Sequence, residues 1–230
     1  HWQEVADYMM PRKADVTKLR SKGDKRTELI FDSSPLQAVE LLAASLHGML
    51  TNPSTTWFSL KFKEDEMDNE DQAKEWLESA TETMYAAFNK SNFQQEIFEL
   101  YHDLITFGTA AMFIEEDEDD IVKFSTRHIN EIYIAENEKG RIDTVYRKFR
   151  LSVRAAIQQF GKGLSQKIDT INAKDPYEEV EIVHAVYPRS DFNPKKQDRK
   201  NMPFESVYME YSSGDELSVS GFREFPFVVP

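Results

Sequence analysis

The densest chemical functionality in the sequence is a run of six carboxylates, Glu115, Glu116, Asp117, Glu118, Asp119 and Asp120. Carboxylate oxygens are the ligands that hard cations such as Mg²⁺ and Ca²⁺ take, and a cation so held would suit a metal-dependent phosphoryl hydrolase. Consecutive residues on a turn do not converge on one point, and the spacing of an EF-hand loop is absent. The run therefore reads as a solvated turn, and no metal ligand is assigned to it. The five histidines, His1, His47, His102, His128 and His184, are scattered without an H-E-x-x-H pair, so each reads as a surface residue of a helix or strand. Gly161-Lys162-Gly163 lacks the G-x-x-x-x-G-K-[ST] spacing that cradles phosphates, and it follows a helix instead of opening one. With no cysteine in the chain and no G-x-S-x-G elbow, there is no candidate nucleophile. Catalytic, cofactor-binding and metal-binding residues are all read as none. One cluster is left: Arg12, Lys13, Lys18, Arg20, Lys22, Lys25 and Arg26 face only Asp15 and Asp24, which predicts an exposed basic loop in an otherwise acidic chain.

The charge balance bounds what such a loop can do. Twenty-eight Lys and Arg against 41 Asp and Glu leave a formal net charge of −13 over 230 residues. This excludes broad electrostatic capture of nucleic acid or an anionic membrane, which needs clustered cations, and confines any basic contact to one place. A hydrophobic content of 40% with 12% aromatics is enough to bury a core. The absence of cysteine rules out disulfides and is compatible with a reducing, intracellular origin. No stretch approaches the roughly 18 to 20 uninterrupted apolar residues of a membrane span, so a soluble protein is expected. The start at His1 and the apolar close PFVVP read as a piece of a longer polypeptide.

The elements that must position these residues begin with Trp2 to Met10, a short docking helix with Trp2, Val5, Ala6 and Met9 on one side and Pro11 at its end. The strongest signal is Ile30 to Leu60. Asp32, Ser33 and Ser34 precede Pro35 as helix-start residues, and Leu36, Val39, Leu42, Ala43, Leu46, Met49 and Leu50 make an apolar stripe. Small Ala43, Ala44, Ser45 and Gly48 let another backbone approach, Asn52 and Pro53 stop the helix, and Trp57, Phe58, Leu60 and Phe62 form a strand pattern. After an acidic linker from Lys63 to Asp71, two helices follow almost without a loop, over Asp71 to Lys90 and from Ser91 or Asn92 to Phe107, the second closed by Gly108. Ala110 to Ile114 and Val122 to Thr126 flank the carboxylate run as short strands. Ile132 to Ala135 and Ile142 to Phe149 make a hairpin around Glu138-Lys139-Gly140, and Ser152 caps a helix that Gly161 and Gly163 end. A further short helix is expected over Leu164 to Ile171. Val180 to Tyr187, Phe204 to Tyr211, Leu217 to Ser220 and the run Phe222 to Val229 read as extended, with a polar, partly basic connection from Pro188 to Pro203. Helices first and mostly antiparallel strands after, with one helical insertion, predict an α+β fold and not a βαβ nucleotide-binding fold.

Pattern alone reaches a soluble, acidic, non-enzymatic α+β protein. The opening Trp2-Gln3-Glu4-Val5-Ala6-Asp7-Tyr8-Met9-Met10-Pro11, the block Ile30 to Leu60, Ser91-Asn92-Phe93, Phe107-Gly108-Thr109-Ala110-Ala111 and the closing Phe222 to Pro230 together resemble the portal family of tailed bacteriophages. More narrowly, they are similar to the head-to-tail connecting proteins of short-tailed phages. The matches run from end to end in order.

The resemblance implies a non-enzymatic, homo-oligomeric ring, commonly of twelve subunits, at one capsid vertex of the virion, assembled in the host cytoplasm. Through it DNA is packaged by a separate terminase ATPase and later ejected into the tail, passing without sequence-specific binding. Terminase, capsid and tail proteins are the implied partners, and no cofactor or membrane is. The segment resembles the wing-forming part: residues 1–30 as docking helix and basic loop, 31–115 as the helical part with one strand, 116–230 as the mostly β part with a helical insertion near 152–172. Counterparts of stem, clip and crown are not found. A ring requires one face of each subunit to complement a different face of the next, and the basic loop Arg12 to Arg26 is the expected contact with a neighbouring subunit or with DNA near the inner rim. A metal-dependent phosphoryl hydrolase and a non-enzymatic phage adaptor module are the alternatives.

Overall fold

The computed structural model describes residues 1–21, 23–63, 70–161, 168, 171, 174–196 and 198–230. The chain forms two compact units, one of residues 1–130 with 228–230 and the other of residues 131–227. The architecture is α+β, as the order of sequence patterns predicts.

In the first unit, α1 (Trp2–Met9) and a 3-10 turn over Pro11–Lys13 lead to α2 (Ser34–Leu50), α3 (Asp71–Lys90) and α4 (Phe93–Phe107). Pro35 falls in the first turn of α2 as its missing N–H allows, and the Asp32 carboxylate accepts the Ser34 N–H at 3.1 Å just ahead of it. Helix α4 is the hub. It buries Phe93, Leu100, Tyr101, His102, Asp103, Thr106 and Phe107 and ends at Gly108, whose φ of 78° is the left-handed cap that glycine adopts without a Cβ penalty. Around it, Phe93 stacks on Phe88 at 4.8 Å and on Trp57 at 5.8 Å, and meets Phe124 edge-on at 5.1 Å.

The expected strand at Trp57 to Phe62 does not form. The segment has no regular secondary structure, and side chains of α3 take its backbone: the Tyr85 hydroxyl accepts the N–H of Trp57 and of Phe58, and Thr81 accepts that of Leu60. A helix supplied the acceptors that a neighbouring strand would otherwise provide.

Strands β1 (Ala111–Asp117) and β2 (Ile121–Arg127) form an antiparallel hairpin, joined on the β1 side by β8 (Phe227–Val228). Three of the six carboxylates thus lie in a strand and not in a turn. Ladder pairing down to Asp117↔Ile121 carries the strand through them. The free edge of β2 is closed by α4 and the residue before it: Asn92 accepts the Phe124 N–H at 2.9 Å and donates to its carbonyl at 2.8 Å, and Glu96 accepts the Thr126 N–H at 2.6 Å. Side-chain amide and carboxylate stand where a further strand would pair.

The second unit is a five-stranded antiparallel meander in sequential order, β3 (Ile132–Glu136), β4 (Ile142–Ser152), β5 (Glu179–Pro188), β6 (Phe204–Glu210) and β7 (Glu216–Phe222). Helix α5 (Val153–Phe160) starts at Ser152, whose Oγ accepts the Ala155 N–H at 3.3 Å, and ends at Gly161 as expected. Phe149, Ile182 and Leu217 form an apolar cluster to which Phe160 of α5 adds its ring. Beside it His184 lies flat on Tyr208, centroids 3.9 Å apart, and shares a 2.9 Å hydrogen bond with Ser206. His184 and His102 are thus not the surface residues expected: each is 2% exposed, because an aromatic ring covers it, Tyr208 for His184 and Phe98, at 4.7 Å, for His102. The helix expected over Leu164 to Ile171 lies outside the described residues except at Ile168 and Ile171.

Candidate functional site

Helix α1 turns an unexpected face inward. Residues three and four apart share a side, and the buried set is Gln3, Ala6, Asp7 and Met10, while Trp2 is 43% exposed. Ala6 and Met10 join Ala14 and Phe107 in an apolar cluster. Two polar side chains on that same face need partners, and the basic segment supplies them.

Gln3 is the organiser. Its carboxamide oxygen accepts the backbone N–H groups of Val16, Thr17 and Lys18 at 3.2, 2.8 and 2.9 Å, and its nitrogen donates to Asp7 and to the Ala14 carbonyl. This one side chain pins the chain after the 3-10 turn onto α1. Arg20 then reaches Asp7 at 2.6 Å and Asp15 at 3.1 Å, and Arg26 reaches Asp15 at 2.7 Å. Burial works to raise the Asp15 pKa, and the hydrogen bonds from Arg26 and Arg20 outweigh it, so the carboxyl stays ionised below its ordinary range.

Facing α4, Arg12 bonds Glu99 at 2.7 Å, and Lys13 lies 2.6 Å from Asp103 and 3.4 Å from Glu99. Burial likewise pushes Glu99 upward, and the positive charges of Lys13 and Arg12 more than reverse it. For Asp103 burial wins: its pKa is raised although Lys13 pulls it down. His128 closes the arrangement through a 3.0 Å contact between Nε2 and the Lys13 carbonyl.

Of the seven cations, Arg12, Lys13, Arg20 and Arg26 are therefore ion-paired within the chain. Lys18 and Lys25 are exposed and make no ion pair among the described residues, and Lys22 lies outside them. Sequence counting found the cations and Asp15 but not the acceptors of Arg12 and Lys13, because Glu99 and Asp103 lie about 90 residues away in the chain.

A second surface was missed. The stripe of α2 reads as core, yet only Val39 and Ala43 are buried, while Leu41, Leu42, Met49 and Leu50 are exposed. Helix α2 shows one side to α4 and has leucines on more than one side. An excess of leucine over the charged residues of α2, which are limited to Glu40, was the available signal.

The other chemical candidates stay apart. Asp117 accepts the N–H groups of Asp119 and Asp120, both at 2.9 Å, and those bonds hold its carboxyl below the ordinary range. Among the described residues no group of three His, Asp or Glu gathers closely enough to hold a metal ion, and no helix is long and apolar enough to cross a membrane. The arrangement holds an N-terminal arm in place and shows an apolar helix beside it.

Comparison with known proteins places this arrangement. The sequence profile described as bacteriophage head to tail connecting protein matches residues 1–230. The chain is 33% identical over 235 aligned positions to the probable portal protein of Bordetella phage BPP-1, and 34% over 236 to the portal protein of Salmonella phage epsilon15. Both alignments take in 100% of this chain and 42% of the relative, so the chain spans about two fifths of the length of these relatives.

Proposed function

Because the chain belongs to the bacteriophage head to tail connecting protein family, we propose that it is part of a structural portal subunit, non-enzymatic, acting in a homo-oligomeric ring at a capsid vertex of the virion. Membership extending over residues 1–230, with two phage portal proteins aligned across the whole chain, is the observation that carries this reading. The ring is a dodecamer, assembled in the host cytoplasm, with capsid, tail and terminase proteins as partners. Residues 1–230 contribute its wing, residues 1–30 serving as docking helix and basic loop.

DNA passes through such a ring during packaging and ejection without being read. A conduit lined by cations would hold the phosphates and slow the polyanion. A net charge of −13 suits passage, and the internal pairing of Arg12, Lys13, Arg20 and Arg26 lowers the free positive charge further. The basic segment contacts a neighbouring subunit or DNA near the inner rim, and among the described residues Lys18 and Lys25 are its cations without an ion pair.

Electron microscopy of the complete protein tests the reading. A ring with a central channel and about twelve-fold symmetry is expected, and a small species without a channel would overturn it. Replacing Lys18 and Lys25 by Ala should weaken ring assembly or DNA retention. Unchanged assembly and packaging would remove the basic segment from the contact.

A further inference from the structure

Helix α2 has a single charged side chain, Glu40, in 17 residues. Leu41, Leu42, Met49 and Leu50 are nevertheless 71, 49, 81 and 54% exposed. A helix apolar on most sides belongs in an interior, and in a chain with 30% charged residues such a surface marks a contact. Next to it an apolar groove of about 610 Å³ runs between α2 and the end of α1, lined by Met9, Pro11, Leu36, Leu41 and Ala44. His102 forms part of its floor. The ring is 2% exposed, and Nε2 makes no hydrogen bond among the described residues, with the Glu40 carboxylate 3.3 Å away. A buried polar atom left open at the bottom of an apolar groove is a point a docked segment can satisfy.

A segment of matching chemistry precedes α2 in the chain and does not line the groove. Between Lys25 and Phe31 the chain presents Leu29 at 39% and Phe31 at 90% exposure, flanked by exposed Lys25 and Glu28. The charges beside the groove are Glu40, 64% exposed at its side chain, and Arg12, 51% exposed and holding Glu99 through Nη1 alone. Lys25 complements Glu40 and Glu28 complements Arg12, with Leu29 and Phe31 as apolar anchors.

We infer that the Lys25–Phe31 segment of one copy of this chain docks on the α2 face and groove of the next copy. The inference rests on the ring assembly proposed above, and names the two surfaces that would build it. Phe31 does not fill its own groove, as its exposure shows. Donor segment and acceptor groove are different surfaces, so each copy both gives and receives. That is the heterologous contact from which rings close.

The absence of cysteine from the chain allows a direct test in the complete protein. One population carries Phe31→Cys and another Leu41→Cys, and the two are mixed under mild oxidation. Disulfides need Cα atoms roughly 4.4 to 6.8 Å apart, so cross-linked pairs are expected in the mixture and not in either variant alone. The doubly substituted chain should give a ladder of multimers. In parallel, Leu41→Glu with Leu42→Glu changes only exposed positions; it should keep the circular dichroism spectrum and weaken self-association about tenfold or more. Rings that form without the mixed cross-link and tolerate the two glutamates would overturn this contact and leave the ring reading standing, as would a Leu41→Cys variant that dimerises by itself. A protein that sediments as single copies at every concentration would overturn both.

Discussion

Lys13 places its Nζ 2.6 and 2.7 Å from the two carboxylate oxygens of Asp103, a side chain 2% exposed. The bond ties the 3-10 turn after α1 to the middle of α4, across 90 residues of chain. Removing one partner strands a buried charge. Lys13→Met should destabilise the protein by about 3 kcal/mol, and Lys13→Met with Asp103→Leu should cost less than either single change, because no charge is then left buried. Urea unfolding of the four proteins in the cycle measures both.

Asp103 and Glu99 carry opposite pH signatures. The Asp103 pKa is raised, by burial, so the stability it contributes is complete below its ordinary value of 3.8 and is lost as pH climbs through the higher folded value. The advantage of wild type over Asp103→Asn should therefore shrink from pH 3 to pH 7. Glu99 is lowered, burial being outweighed by Lys13 and Arg12, so its contribution is present above 4.5 and lost as pH falls through the lower folded value. The advantage over Glu99→Gln should grow over the same range. Urea midpoints at the two pH values decide; slopes of the same sign would contradict the assignment.

Gln3 holds three backbone N–H groups with one oxygen. Gln3→Leu keeps the volume and removes the acceptor, leaving those donors and Asp7 short of partners, at a cost of roughly 1 to 3 kcal/mol. Amide exchange at Val16, Thr17 and Lys18 should accelerate well before exchange in α4 does.

Gly221 and Gly48 should respond oppositely to alanine. A Cβ on Gly221 would stand 2.7 Å from the Arg199 carbonyl oxygen and 2.8 Å from that of Phe204. Gly221→Ala should destabilise by about 1 to 3 kcal/mol as overpacking. Gly48 is helical with nothing within 4 Å of such a Cβ, so Gly48→Ala should stabilise by about 0.5 to 1 kcal/mol. Thermal midpoints report each sign directly.

Local chemistry carried much of the architecture. Pro35 after Asp32, Gly108 after Phe107, Ser152 before Val153 and Gly140 between two alternating runs act on their own neighbours, through a missing N–H, a permitted left-handed backbone or a side-chain acceptor. Their elements form where the sequence places them. The family, too, was legible, since its matching residues are spread along the chain in order.

What the tertiary structure decided was which partner each side chain meets. Trp57 and Phe58 look like strand residues, and only the arrival of Tyr85 and Thr81 from α3 gives the N–H groups of their segment acceptors other than a strand. Arg12, Lys13, Arg20 and Arg26 look like a free basic arm, and only the fold shows otherwise: α4 brings Glu99 and Asp103 to Arg12 and Lys13, and the segment folds back on α1 so that Arg20 meets Asp7. The leucines of α2 recur at helical spacing whether they face a core or a neighbour. Periodicity fixes the face of a helix on which a side chain lies, whereas burial depends on what is packed against that face, which is a property of contacts distant in sequence.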